Sequence, residues 1–279
     1  MAVYKVNGTI TQNAYGANGI ELTTAYDVNR NGLLTPSASE QLVVMTFNVQ
    51  RFEGLNSNTE MLLDIFDTHN PDIIGVQEWG GGTTSEIFTN YPYLYKSAYG
   101  NAPGCASKLN AEYSYWKSYL YETAGDNRSY TKAYIHYSGK RICWINTHLE
   151  PPSYNETYQV AQGKELFDLV SDEPYFIVTG DINTTCQNTS DYQYTAIVKQ
   201  FVDAGYNLAN STAERGFTKT WGDSTTATST DDLTYPCDNI ITSSNISIDS
   251  VVFDTTKFEY NENHLAIDHI PIVAYLTIN

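Results

Sequence analysis

Short apolar runs recur along the chain, and most of them stop at a polar side chain. "QLVVMTFN" (41–48), "DIIGVQE" (72–78), "RICWINTH" (141–148) and "PYFIVTGDIN" (174–183) each read as a buried strand. "SYLYE" (118–122), "TKAYIHY" (131–137), "SIDSVVFD" (247–254) and "IPIVAYLTI" (270–278) predict further strands. Helical spacing appears in fewer places. "SNTEMLLDIFDTHNP" (57–71) opens with a capping box, Ser57 to Glu60, carries apolar residues at Met61, Leu62, Ile65 and Phe66, and is stopped by Pro71. "NETYQVAQGKELFDLVSD" (155–172) predicts a second helix, and a third is expected at about 190–204. Strands outnumber helices and the two kinds mix along the length, which predicts an α/β layered sandwich.

The strand ends carry the chemistry. The four leading runs finish on Asn48, Glu78, His148, and Asp181 with Asn183; "HLAIDH" (264–269) adds Asp268 and His269. One such residue alone reads as a turn cap. Five strand ends of metal-binding or proton-transfer type read as a site built on a rigid frame. Oxygen ligands such as Asn48, Glu78 and Asp268 favour Mg²⁺ or Mn²⁺ over zinc. His148 and His269 can move protons near neutral pH, and Asp181 can hold or activate a water. There is no GxxxxGK[ST] loop and no GxSxG elbow, which argues against P-loop NTPases and the common serine hydrolases.

Composition narrows this further. The 279 residues are 41% hydrophobic, enough for a substantial core. The formal net charge is −17, which repels nucleic acid and anionic membranes at long range. A phosphate substrate then needs a divalent cation or a local basic pocket. No stretch approaches the ~20 apolar residues of a membrane span, and the N-terminus shows no secretory signal. The four cysteines form no CxxC pair, so a zinc site is not expected. Residues 1–40 stand apart. "AVYKVNGT" and "TAYDVNRNG" each place Tyr-x-Val-Asn before a glycine turn, which predicts short strands. This segment reads as an arm packed on the main domain, or as an attachment segment contacting a larger assembly; residues 41–279 are expected to form one domain carrying the strand-end site.

"FNVQ", "VQE", "NTHLEP", "GDIN" and "IDHIPI" resemble the ordered motifs of the endonuclease/exonuclease/phosphatase superfamily. The C-terminal half is closer still to the deoxyribonuclease I-like group. "GDINTTC" resembles its Gly-Asp-Phe-Asn-Ala-Asp-Cys, "STTATST" (224–230) its threonine loop, and "CDNI" its cysteine followed by Asp-Arg-Ile. The resemblance implies a four-layer α/β sandwich, two mainly antiparallel sheets packed together and flanked by helices. It implies that Glu78 is the main metal ligand, with Asn48 and Asp268. Asp181 and Asn183 orient the water and the phosphate oxygens. His148 and His269 flank the phosphate, and Asp238 orients His269. Arg128 and Tyr115 are its candidates for binding phosphate. It further implies a Cys186–Cys237 disulfide, which favours an oxidising, secreted setting, and a structural Ca²⁺ at Asp223, Thr226, Thr228 and Thr230.

The sequence also departs from that group. In "SYWKSYLY", Lys117 stands where a glutamate holds the first catalytic histidine, leaving Glu112 or Glu150 as substitutes. Trp79 and three glycines follow Glu78 in place of a DNA-contacting arginine. Three functions follow. The first is a DNase I-like endonuclease with little sequence preference. The second is a phosphatase or phospholipase C-type enzyme acting on a phosphorylated small molecule or lipid, such as an inositol phosphate or sphingomyelin. The third is a binding module that kept the fold.

Overall fold

The structure is a computed structural model. It describes residues 14–15, 21–22, 26–28, 34–36, 41–50, 59–79, 87–95, 103–120, 128–184, 195–210, 218–223, 229–256 and 268–279. The chain forms two compact units, Met1–Gln41 and Leu42–Asn279. In the first, β1 (Ala14–Tyr15) pairs antiparallel with β2 (Glu21–Leu22), and β3 (Tyr26–Val28) pairs antiparallel with β4 (Leu34–Pro36).

The second unit runs β5 (Leu42–Asn48), α1 (Thr59–His69), β6 (Ile73–Gln77), β7 (Tyr93–Tyr95), β8 (Gly104–Ser107), β9 (Ala111–Ser118), β10 (Ser129–Tyr137), β11 (Lys140–His148), α2 (Pro152–Val170), β12 (Phe176–Asp181), α3 (Ala196–Asp203), β13 (Asn207–Leu208), β14 (Asp238–Thr242), β15 (Ile246–Phe253) and β16 (Ile272–Ile278). Among the described residues it forms two six-stranded sheets. Their orders are β15-β16-β5-β6-β8-β7 and β13-β14-β12-β11-β10-β9. Both are antiparallel apart from one parallel pair each, β5–β6 and β11–β12. A helix joins each parallel pair, α1 in one and α2 in the other, because parallel neighbours need a crossover.

Strand alternation divides the core into three apolar layers. Met45, Phe47, Ile74 and Val76 face outward onto Met61, Leu62, Ile65 and Phe66 of α1. Cys143, Ile145, Phe176 and Val178 face outward onto Leu166, Val170, Ile197 and Phe201 of α2 and α3. Leu42, Val44 and Ile73 meet Ile142, Trp144, Ile177 and Ile240 between the sheets. This is the four-layer α/β sandwich expected from the sequence, and both faces of the central strands are covered. That is why those strands read as nearly unbroken apolar runs.

Boundaries differ in places. The first helix stops at His69, with Asn70 in a left-handed conformation (φ 47°) donating its N–H to Phe66 O at 2.7 Å. Its expected cap, Ser57, lies outside the described residues. α2 breaks at Asn155 (φ −161°, ψ 94°), whose Oδ1 accepts the Tyr158 N–H at 3.1 Å, so the regular helix begins where the sequence pattern placed it. β9 ends at Ser118, and Tyr119 and Leu120 of "SYLYE" fall beyond it. The third helix covers only Ala196–Asp203, and residues 190–194 lie outside the described residues. Among the described residues, no helix is long and apolar enough to cross a membrane.

Candidate active site

The same alternation delivers the polar strand ends to one edge of the inter-sheet layer. Val44, Thr46 and Asn48 share a face of β5. Ile142, Trp144, Asn146 and His148 share a face of β11, and Ile177, Thr179 and Asp181 share a face of β12. Register aligns them: Asn48 lies opposite Gln77, His148 opposite Asp181, and Asp181 opposite Asp238. Glu78 is the exception. It follows Gln77, so a continuing strand would turn it to the other face. It adopts a left-handed backbone instead (φ 52°), as does Asn183 (φ 51°). For a non-glycine residue this costs about 1–2 kcal/mol. Strain of this kind collects where side chains must be aimed.

Asn48 Nδ2 donates to Asp181 Oδ2 at 2.9 Å and to Glu78 Oε1 at 3.4 Å, while its Oδ1 accepts the Gln50 N–H at 3.0 Å. The Asn183 N–H binds Asp181 Oδ1 at 2.9 Å, and its side-chain Nδ2 donates to Leu149 O. Asp181 Oδ2 lies 3.5 Å from His148 Nε2 and 3.6 Å from His269 Nε2. Asp238 Oδ2 holds His269 Nδ1 at 2.7 Å and accepts the Thr220 hydroxyl at 2.7 Å. Asp268 Oδ2 accepts Trp221 Nε1 at 2.9 Å, and its Oδ1 lies 3.8 Å from His269 Nε2. Backbone bonds seat that segment, with Gly222 N on Asp268 O and Ile270 N on Thr220 O.

Burial and crowding shift the titrating groups. Desolvation pushes the Asp181 carboxyl up to about 7; His269 opposes this and Asp238 adds to it. Burial works against charge on His269, but Asp238, Asp268 and Asp181 together raise its pKa to about 10. Burial raises the Cys237 thiol well above its ordinary range, which favours the protonated thiol.

The residues flank a cavity of about 760 Å³. Its walls include Glu78, Arg128, His148, Asp181, Asp268 and His269, together with the Pro151–Tyr154 turn and a stacked Trp221–Tyr235 pair. Arg128 is buried and its Nη1 contacts His148 Nε2. The same ring nitrogen lies 3.5 Å from Asp181 Oδ2. Lys117 is exposed and faces Glu165 at 3.6 Å, and Glu112 pairs with His136. Glu150 is fully buried. Tyr115 is 40% exposed on β9 and is not part of the cavity wall.

Sequence reading missed Trp221, Tyr235 and Thr220. They lie in irregular segments and reach the site through long-range contacts. Of the calcium residues, Thr226 and Thr228 lie outside the described residues. Thr230 opens a short 3₁₀ turn capped by Asp232, whose Oδ2 accepts Ser229 N at 2.9 Å. Cys237 carries a free, buried thiol and Cys186 lies outside the described residues, so the structure gives the disulfide no support.

The donor chemistry fits a hard divalent cation. The Oδ1 atoms of Asp238 and Asp268 are buried without a hydrogen-bond partner. Asp181, Asp238 and His269 each offer a ligand atom, all within 4.8 Å of one another. Clustered carboxylates with unused oxygens are the surroundings such an ion requires.

The solved structures similar to this chain share its fold. One is humanized D. rerio TDP2, with TM-score 0.66 and 16% identity over 86% of this chain and 100% of that one. D. rerio TDP2 complexed with single-strand DNA product gives TM-score 0.65 and 15% identity, with the same coverage. An endonuclease/exonuclease/phosphatase protein from Bacteroides vulgatus gives TM-score 0.63 and 20% identity over 86% of this chain and 100% of that one. No curated protein sequence matches. The model of the Endonuclease/Exonuclease/phosphatase family matches residues 45–255, most of the chain and all but two of the site positions. The chain therefore belongs to the Endonuclease/Exonuclease/phosphatase family, whose members are metal-dependent hydrolases of phosphoester bonds.

Proposed function

We propose that the chain is a divalent-metal-dependent phosphodiesterase that cuts nucleic acid internally with little sequence preference. The carrying observation is the placement of two histidines within 3.6 Å of one buried carboxylate, Asp181, beside Glu78 and Asn48. Glu78, Asn48 and Asp268 would hold Mg²⁺ or Mn²⁺. Bound there, the ion polarises the phosphate and stabilises developing charge. Asn48 would have to turn its amide oxygen towards that ion, since its Nδ2 now faces the carboxylates.

The chain's own residues do the rest. Asp181 orients the attacking water and accepts its proton. Asp238 holds His269 by Nδ1, so Nε2 faces the cavity. With its pKa raised, His269 is charged at neutral pH and can protonate the leaving oxygen. Arg128 pins His148 by Nε2 and supplies positive charge beside the phosphate. The relative complexed with single-strand DNA product supports a nucleic acid substrate.

A second reading, a phosphatase or phospholipase C-type enzyme for a compact phosphoester, is favoured by one observation. Arg128 is the sole Lys or Arg among the described residues walling the cavity, and the chain carries a net charge of −17. A long polyanion gains little from such a surface. Supercoiled plasmid, inositol polyphosphate and sphingomyelin, each assayed with Mg²⁺ and with chelator, separate the two. Nicking that disappears with chelator and with His148→Ala supports the nuclease. Turnover of the small substrates without nicking supports the second reading.

A further inference from the structure

Beneath the site, where the inter-sheet layer should be apolar, four polar side chains are completely buried: Thr46, Gln77, Asn146 and Thr179. They come from the three strands that carry Asn48, His148 and Asp181 and from β6, which leads into Glu78. On β5, β11 and β12 each lies two residues before its site residue, on the same face; on β6 it lies one before. They form one network. Gln77 Nε2 donates to Asn146 Oδ1 at 2.6 Å and to Thr46 Oγ1 at 3.1 Å. The Thr179 hydroxyl donates to Asn146 Oδ1 at 3.1 Å and accepts Trp144 Nε1 at 3.0 Å. Asn146 Nδ2 crosses to the other sheet, donating to Val76 O at 2.9 Å and Gly104 O at 2.6 Å.

The sheets approach closely here. A Cβ added at Gly75 would lie 2.1 Å from Thr179 Oγ1 and 2.5 Å from Asn146 Oδ1, so only glycine leaves room for the network. A fully satisfied buried polar network adds directional bonds that fix one geometry of the layer.

We infer that Gln77 and Asn146, with Thr46 and Thr179, are positioning residues that lock the Asn48–Glu78 strand pair to the His148–Asp181 strand pair. The inference rests on the phosphodiesterase reading above. Gln77 also acts on its neighbour. Anchored between the sheets, it holds the backbone from which Glu78 turns in its left-handed conformation. None of the four touches the cavity, so they act through the residues that follow them.

The test is Gln77→Met combined with Thr46→Val. The pair removes the Gln77–Thr46 contact from both sides and keeps volume, while Asn146 Oδ1 retains the Thr179 hydroxyl. The probes are Mn²⁺ binding to the metal-free protein by electron paramagnetic resonance, steady-state hydrolysis of bis(p-nitrophenyl) phosphate, and thermal unfolding. The expected result is a midpoint shift of only about 2–4 °C. Mn²⁺ affinity and kcat should each fall about 10–100-fold, with KM unchanged. Thr46→Val alone should move both in the same direction by a smaller factor, and it serves if the double variant does not fold. Wild-type Mn²⁺ affinity and kcat in a folded variant would overturn the inference while leaving the phosphodiesterase reading intact. If the wild type hydrolyses no phosphoester, that reading falls and Mn²⁺ affinity still decides the brace. A wild type that binds no Mn²⁺ overturns both.

Discussion

The two parallel strand pairs contribute unlike halves to the site. β11 and β12, with β14 beside them, bring His148, Asp181 and Asp238 to one level by register alone. β5 and β6 bring one amide, and their carboxylate arrives only through the left-handed turn at Glu78. His148, Asp181 and Asp238 are thus placed by regular pairing, and Glu78 by strained backbone over an anchored Gln77. Groups that move protons need fixed mutual distances. A carboxylate offered to a cation needs to project beyond the sheet, and a residue at the end of a broken strand does so.

The contrast can be broken at several points. His269→Ala removes the charged ring that Asp238 of the titrating half holds, and should lower kcat about 10²–10⁴-fold, read in single-turnover assays. Asp238→Asn keeps the ring but weakens its hold on Nδ1. A loss of about 10–100-fold is expected, together with a downward shift of the alkaline limb of the pH–rate profile. Glu78→Gly probes the strained half. It should abolish tight Mn²⁺ binding yet raise stability by about 1 kcal/mol in chelator, because glycine accepts that φ freely.

The smallest effect concerns pH. The folded pKa of His269 is raised from 6.5 to about 10, chiefly by Asp238, Asp268 and Asp181 against the opposing effect of burial. Its contribution to the metal-free fold is therefore fully present below about pH 6.5 and is lost as pH rises towards 10. The difference in unfolding midpoint between wild type and His269→Asn should shrink over that window; a gap that widens would contradict the expected sign.

Much of this architecture was legible because buried strands alternate. Leu42–Asn48 and Phe176–Asp181 read as apolar runs ending in polar groups, and the polar ends fall together for the same geometric reason. Residues placed by distant contacts were not legible. Trp221 bonds Asp268, 47 residues away, and no local pattern marks it. Gln77 and Asn146 were hidden inside apolar runs, where only the paired sheets reveal their partners. Spacing showed Lys117 in place of the glutamate expected near His148, but it did not show that Arg128, just before β10, contacts His148 Nε2.

The central claim is that both halves serve one metal-dependent phosphoester site. It is tested by the rate of bis(p-nitrophenyl) phosphate hydrolysis against Mg²⁺ concentration for wild type, Glu78→Gln and His148→Ala. Wild type should saturate, Glu78→Gln should need at least about ten-fold more Mg²⁺, and His148→Ala should saturate at the wild-type concentration with a far lower plateau. Full activity in chelator, or curves for both variants that overlay the wild type, would contradict it.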